Sequence, residues 1–108
     1  MERLRQRADF LAAASAMKVP TAAFVLQVRQ RNDKGPLRVG FTVSRRVGTA
    51  VERNRVRRRL KEVVRLSAGL PAGNDYVLVG RRAALSRPFD EMAEDFQRAL
   101  ARFRSPND

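Results

Sequence analysis

Residues 43–66 read VSRRVGTAVERNRVRRRLKEVVRL, and they hold nine basic residues against two acidic ones. The whole chain of 108 residues carries a net charge of +12, so this one segment supplies seven of those charges (nine minus two). Like charges crowded this closely repel one another unless a polyanion neutralises them. The segment therefore predicts a surface that binds nucleic acid, and the sequence pI of about 11.7 agrees with that prediction.

The same segment has the periodicity of one long helix. Gly48 and Thr49 open it, with Thr49 as the N-cap and Glu52 as its capping-box partner. It is predicted to end near Ser67, before a glycine and a proline. Its apolar residues share one arc about 100° wide, which is enough to dock the helix on a core. These residues are Val56, Leu60, Val63 and Val64.

A basic ridge is predicted on the adjoining arc of this helix. Its members are Asn54, Arg57, Arg58, Lys61 and Arg65. Arg53 lies at the edge of the apolar stripe, where it can reach back over neighbouring structure. Arg55 and Arg59 occupy the far side. The helical spacing predicts that the two acids of the segment, Glu52 and Glu62, form ion pairs with them.

The rest of the chain predicts a single small domain over residues 1–108, with flexible ends at 1–5 and 104–108. Strands are predicted over residues 23–29, 37–44 and 75–80, and the first two are expected to pair as an antiparallel hairpin. Two further helices are predicted from apolar spacing. One is capped by Asp9 and carries Phe10, Leu11, Ala14 and Met17; the other begins near Pro88 and carries Phe89, Met92, Phe96, Leu100 and Phe103.

The composition excludes several classes of site. The chain has no cysteine and no histidine, so disulfides, thiolate metal sites and histidine-based acid–base catalysis are excluded. No apolar run approaches the ~20 residues that cross a bilayer. Residues 10–17 (FLAAASAM) follow several arginines, but the run is too short and too rich in alanine to favour a signal peptide. We therefore expect a cytoplasmic protein.

An ordered motif extends over residues 38–65. A strand ends in Val43-Ser44 and two basic residues; a Gly-x-Ala-Val linker follows at residues 48–51, and then Arg-Asn-Arg at residues 53–55. Two flanks fit the same pattern, at residues 7–10 and 75–82 (DYVLVGRR). This arrangement closely resembles the protein component of bacterial ribonuclease P, over roughly residues 4–100.

The resemblance implies an α+β fold. In that family the domain is a two-layer α/β sandwich of about three helices on a four-stranded sheet, like the second domain of a ribosomal protein. The motif helix there belongs to a left-handed βαβ crossover, against the general right-handed rule. We expect the same architecture here.

The resemblance also implies a function. In the family, an RNA subunit with magnesium is the catalyst, and it removes the 5′ leader from precursor tRNA. The protein binds that RNA and the single-stranded leader, which is expected to raise the affinity for substrate and for magnesium. By itself the protein is expected to be non-catalytic. The partners expected of this chain are the catalytic RNA and precursor tRNA, with no DNA, no membrane and no obligatory protein partner. Mg²⁺ is expected to be bound mainly by RNA and substrate, with no metal site on the protein.

Site residues follow from the motif match. Those expected to contact the catalytic RNA or metal-bound phosphates are Arg53, Asn54, Arg55, Arg57, Arg58, Lys61 and Arg65. Those expected along the leader, in a cleft between the sheet and the first helix, are Phe10, Arg45, Arg46 and Arg82. A plain core position remains open for Phe10, and Phe41 is expected in the core. Ala14 and Gln27 stand where family members often have aromatic residues, so weaker stacking of leader bases is expected here.

Two other classes of function fit parts of the sequence. A stand-alone metal-dependent nuclease needs clustered carboxylates. The acids between residues 90 and 95 suit the positive N-terminus of the last helix and need no metal. A ribosomal-type or architectural nucleic-acid-binding protein would share the charge, but it does not account for the ordered motif. Cleavage assays with and without an RNA subunit separate these alternatives.

Overall fold

Three helices pack on a five-stranded mixed sheet. The computed structural model describes residues 2–31, 33–67 and 70–104. The strands are β1 (Glu2–Arg3), β2 (Met17–Pro20), β3 (Phe24–Gln30), β4 (Arg38–Thr42) and β5 (Asn74–Gly80). The helices are α1 (Arg7–Ala14), α2 (Ala50–Leu66) and α3 (Phe89–Arg104), with short 3₁₀ helices at Arg45–Val47 and Arg82–Leu85. Within the described ranges, no helix is long and apolar enough to span a membrane.

The strand order across the sheet is β1-β4-β5-β3-β2. β4 runs parallel to β1 and β5, whereas β3 is antiparallel to β5 and β2. The α+β class is confirmed. The fifth strand is β1, which lies in the part of the chain that was expected to be a flexible end; of the other expected flexible end, residues 105–108 lie outside the described residues. α2 joins the adjacent parallel strands β4 and β5, and the left hand of this crossover stays a prediction.

The expected hairpin between β3 and β4 does not form, because β5 lies between them. The connection from β3 to β4 crosses the end of β5, where the Gly73 N–H donates to the Gly35 carbonyl (2.9 Å). Gly73 has a φ of 76°, and a Cβ there would lie 2.6 Å from the Asp33 carbonyl oxygen, so this crossing requires glycine. Alternation along a strand indicates which side chains face a core, but it does not indicate the neighbouring strand.

The helices lie on both faces of the sheet, so the domain has three layers rather than two. α2 and α3 cover one face, in a core that includes Phe24, Leu26 and Leu78. α1 covers the other face, where Leu4 and Ala13 pack with Val77. On α3 the predicted apolar stripe is confirmed, and Phe96 meets Phe24 edge to face with ring centroids 6.2 Å apart.

Two expectations for the first helix are corrected. Gln6, rather than Asp9, is the N-cap residue of α1, and it makes no side-chain cap. Asp9 lies in the first turn, where its carboxylate is 3.1 Å from Arg29 Nη1 and 3.4 Å from Arg38 Nη1. α1 ends at Ala14, and Met17 belongs to β2, because the chain there pairs with β3 instead of continuing the helix.

A buried ionic cluster ties the end of β5 to its neighbours. The Asp75 side chain is fully buried. Arg38 on β4 donates to it twice, from Nε to Oδ1 and from Nη2 to Oδ2, both at 2.8 Å. Arg31, just beyond β3, donates a third bond from Nη1. Burial alone would raise the pKa of the Asp75 carboxyl, but the hydrogen bonds from Arg38 and Arg31 outweigh it and hold this pKa below its usual range.

Candidate nucleic-acid interface

The start of α2 is fixed by the predicted capping box, which is confirmed. The Glu52 N–H donates to Thr49 Oγ1 (3.2 Å), and the Thr49 N–H donates to Glu52 Oε1 (2.9 Å). Arg82 adds an ion pair of 3.1 Å to Glu52 and a hydrogen bond of 2.6 Å to the Val47 carbonyl. The pKa of Glu52 is lowered mainly by the hydrogen bond that its carboxylate accepts from the Thr49 backbone, and next by the hydrogen bond from the Arg82 side chain. These bonds set the direction in which α2 leaves the sheet.

The apolar stripe of α2 docks the helix as predicted. Its four members, Val56, Leu60, Val63 and Val64, are all buried in the main core. A helix anchored along one side presents its other faces in a fixed orientation. The basic ridge is therefore part of the rigid domain.

The ridge cations differ in how far their charge is already neutralised. Arg57 Nη1 donates to Asn54 Oδ1 (2.9 Å), which orients both polar groups on the ridge. Arg65 pairs with Glu62, with Nε 3.0 Å from Oε2. Among the described residues, no carboxylate lies within ion-pair distance of Arg58 or Lys61. Both side chains are exposed, so they are the most available to an outside phosphate.

The predicted ion pairs on the far side of α2 are wrong. Glu52 pairs with Arg82, and Glu62 with Arg65. Arg59 instead donates from Nη2 to the Arg87 carbonyl (2.7 Å) and from Nη1 to the Ala84 carbonyl. These carbonyls come from the segment after β5, a tertiary partner that helical spacing cannot indicate.

A second structural arginine lies near the start of the helix. Arg53 Nη1 reaches back to the Gly48 carbonyl at 3.4 Å, in the direction expected from its place at the edge of the stripe. Arg53 and Arg59 therefore hold backbone carbonyls of their own domain. Arg55 is exposed and, within the described ranges, has no carboxylate in ion-pair distance.

A cleft of about 480 Å³ lies along the edge of β4, beyond the point where β1 ends. Phe10 of α1 lines it from one side, and Arg57 and Lys61 of α2 line it from the other. The Phe10 ring rests directly on Gly40: a Cβ at Gly40 would lie 2.7 Å from the ring's Cζ. The absence of a side chain at Gly40 therefore makes room for the Phe10 ring in the wall of the cleft.

Two cleft residues were not expected from the sequence. Phe41 packs against the main core, as predicted, but it also lines the cleft. Arg3 lines it from β1. Both residues reach the cleft because β1 pairs with only the first part of β4 and leaves the rest of that edge open. The predicted hairpin paired β4 with β3, so it did not indicate this edge. Ala14 and Gln27, the positions without the family's aromatics, are not among the residues that line this cleft.

The other predicted leader residues lie away from this cleft. Arg45 and Arg46 are exposed on the 3₁₀ helix after β4. Arg82 is held by Glu52 and by the Val47 carbonyl, so the structure places it as a link between the segment after β5 and the start of α2. The cleft thus brings together Phe10 and two members of the ridge, but not these three arginines.

Carboxylates are scattered over the domain. Within residues 2–31, 33–67 and 70–104, no group of three or more acids is arranged so that it could hold a metal ion. On α3, Asp95 is buried and pairs with Arg87 (2.7 Å) and Arg98 (2.6 Å), and the hydrogen bond from Arg87 is the main cause of its lowered pKa. Asp90 and Glu91 lie in the first turn of α3, where the helix dipole favours them.

Comparison with known proteins gives the family. The family model described as Ribonuclease P matches residues 1–104. The chain belongs to the ribonuclease P family. The ribonuclease P protein component of Ruegeria pomeroyi is 46% identical over 109 residues, covering 95% of this chain and 86% of the relative. That of Caulobacter vibrioides is 45% identical over 102 residues, covering 92% and 68%.

Solved structures give the same family. The RNase P protein from Thermotoga maritima superposes with a TM-score of 0.78 at 30% identity, covering 94% of this chain and 97% of that one. An RNase P protein from Staphylococcus aureus, 22% identical with a TM-score of 0.77 over 94% of both chains, has the same fold. The family predicted from the motif is therefore confirmed, and with it the expectation of a ribonuclease P protein component.

Proposed function

We propose that this chain binds the RNA subunit of ribonuclease P through the basic ridge and holds the single-stranded 5′ leader of precursor tRNA in the cleft. The RNA subunit then hydrolyses the phosphodiester at the 5′ end of the mature tRNA. One observation carries the proposal: Arg57 and Lys61 belong to the ridge and also line the cleft beside Phe10. One anchored helix can therefore contact a folded RNA and a single strand beside it.

The ridge suits a folded RNA because its geometry is fixed before binding. Phosphate contacts position a protein on a nucleic acid without reading its sequence. Arg58 and Lys61 carry charges that no carboxylate of the described chain neutralises. Binding to phosphate relieves the repulsion among these cations. A phosphate contact on the ridge is therefore more favourable than a contact with an isolated surface cation.

The cleft suits a single strand because it combines an aromatic face with cations. Sequence-tolerant single-strand sites stack bases on aromatic side chains while basic groups follow the backbone. Phe10 lines the cleft with its ring, and Arg57 and Lys61 supply the cations. Phe41 offers a second aromatic surface in the same cleft, and the Phe10 and Phe41 rings make no contact with each other within the described residues.

Magnesium is the cofactor expected for the holoenzyme. Among the described residues, no three acids are grouped so that they could hold a metal ion. We propose that RNA and substrate phosphates hold the ions, and that binding of this chain raises the affinity of the holoenzyme for the substrate and for magnesium. The protein is expected to act in the cytoplasm, to need no protein partner and to have no cleavage activity alone.

Cleavage of a precursor tRNA at low magnesium tests this function, using a bacterial ribonuclease P RNA with and without the protein. We expect no cleavage by the protein alone, slow cleavage by the RNA alone, and efficient cleavage at the correct 5′ position by both together. Cleavage by the protein alone would point to a nuclease. Binding to the RNA without any change in cleavage would leave a ribosomal-type or architectural role.

Phe10→Leu tests the cleft. Leucine keeps most of the packing but has no π-face, so the variant should lose the stacking of one base, worth about 1–3 kcal/mol, or about 5- to 150-fold in affinity. We expect this loss for precursor tRNA and none for mature tRNA, both measured as dissociation constants with the assembled holoenzyme. Phe89→Leu on α3 is the matched control. An equal loss for mature tRNA would show that Phe10 acts through packing alone.

A further inference from the structure

A segment at the N-terminal side of the cleft extends the same surface. This segment, residues 2–6, is called here the N-terminal arm. A second cavity of about 590 Å³ is lined by Glu2, Arg3, Arg5, Gln6 and Arg38. It shares Glu2 and Arg3 with the cleft, so the two cavities meet at the arm.

The arm is held in a defined position. The Glu2 N–H donates to the Leu37 carbonyl (3.1 Å), and the Leu4 N–H donates to the Val39 carbonyl (2.9 Å). The Leu4 side chain is only 4% exposed and packs beneath α1 with Ala13. Leu4 therefore fixes the position of the arm, and its two neighbours, Arg3 and Arg5, are exposed on the surface.

The cations of the arm lack the internal partners that other arginines of this domain have. Among the described residues, Arg3 and Arg5 have no carboxylate within ion-pair distance. Arg38, by contrast, is matched by Asp75 and Asp9. Among the described residues that line the two cavities, Glu2 is the one acid, and with two arginines beside it the arm keeps a positive charge.

We propose that the N-terminal arm is a second subsite for single-stranded RNA, in which Arg3 and Arg5 bind phosphates of leader nucleotides beyond those in the cleft. This proposal rests on the proposed function. The ridge side of the cleft faces the catalytic RNA, and therefore the cleavage point. The arm lies at the other side of the cleft, so it takes nucleotides further toward the 5′ end of the leader. Because it offers charge without an aromatic ring, it tolerates any sequence.

The test is a double variant that carries both Arg3→Ala and Arg5→Ala. Its affinity is measured for precursors with leaders of about 4 and about 16 nucleotides, the range of known single-strand site sizes. With the assembled holoenzyme, we expect affinity for the long leader to fall roughly tenfold through loss of two phosphate contacts. Affinity for the short leader should fall by no more than about threefold, the share of one contact, because Arg3 also lines the cleft whereas Arg5 lines only the second cavity. Each lost contact also makes the slope of log affinity against log salt concentration shallower by about 0.7. Between about 50 and about 200 mM salt, the variant should therefore lose about sevenfold less affinity for the long leader than the unchanged protein loses.

The control is Lys18→Ala with Arg102→Ala, which removes the same charge at β2 and α3, on the opposite edge of the sheet. It should bind both precursors like the unchanged protein. No loss in the arm variant, or an equal loss for short leaders and mature tRNA, would overturn the arm subsite. If the unchanged holoenzyme itself bound precursor no better than mature tRNA, the proposed leader cleft would fail instead. Thermal unfolding of the variant checks that its fold is kept.

Discussion

Asp75→Asn is expected to lower the free energy of unfolding by about 3–5 kcal/mol, which is a large part of the stability of a small domain. Asparagine keeps the shape of the side chain but removes the charge that Arg31 and Arg38 share. The Arg31 side chain is only 9% exposed, so little water reaches the place of the lost charge. Asp33 still pairs with Arg31 (3.1 Å) and Asp9 with Arg38 (3.4 Å), so the loss should fall at the lower end of this range. Urea unfolding followed by circular dichroism measures the difference, with the slope of the transition as a check on two-state behaviour.

The same substitution should change how stability depends on pH. Because the pKa of Asp75 is held below its usual value, its stabilising effect is present above the unfolded pKa and is lost as pH falls through the folded one. The difference in free energy of unfolding between the unchanged protein and Asp75→Asn should therefore be constant from neutral pH down to about 4, the ordinary pKa of Asp. Below that pH the difference should narrow. Asp95 also has a lowered pKa, but it contributes equally to both proteins.

Glu62→Gln is the matched control for this prediction. It removes the same charge, from an exposed pair with Arg65 on α2. We expect little change in stability, because exposed ion pairs are screened by water. The difference in free energy of unfolding between the unchanged protein and Asp75→Asn could instead stay the same down to strongly acidic pH. That result would show that the charge of the Asp75 carboxylate does not stabilise the fold.

The sequence predicted α2 well because its information is local. The cap, the apolar stripe and the end near Ser67 all lie within a few residues of the partners that define them. Helical periodicity also placed the core residues of α3. The family motif then supplied the candidate site residues around this helix.

Partners distant in sequence were the ones missed. Strand alternation could not show that β5 separates β3 from β4. Helical spacing assigned Arg59 to a nearby acid, whereas it holds carbonyls near residues 84–87. One signal was available: Asp75 begins an apolar strand, and a buried acid requires a partner. The sequence could indicate that such a partner exists, but not that Arg31 and Arg38 supply it.

Arg58→Glu with Lys61→Glu is expected to weaken binding to the ribonuclease P RNA at least about a hundredfold, because two phosphate contacts become two repulsions. Both side chains are exposed and, among the described residues, have no carboxylate partner. Stability should therefore stay unchanged or rise slightly, since the change relieves repulsion along the ridge. Dissociation constants over a range of salt concentrations measure binding, and precursor cleavage at low magnesium measures its consequence.

Lys18→Glu with Arg102→Glu gives the decisive comparison, because it changes the net charge equally on the opposite edge of the sheet. If binding depended only on the net charge of +12, the two double variants would lose the same affinity. A loss confined to the ridge variant assigns the binding to the face of α2 that the apolar stripe holds outward. Arg59→Ala completes the argument: its guanidinium holds carbonyls of the same chain, so it should lower stability and leave RNA affinity nearly unchanged in the folded protein.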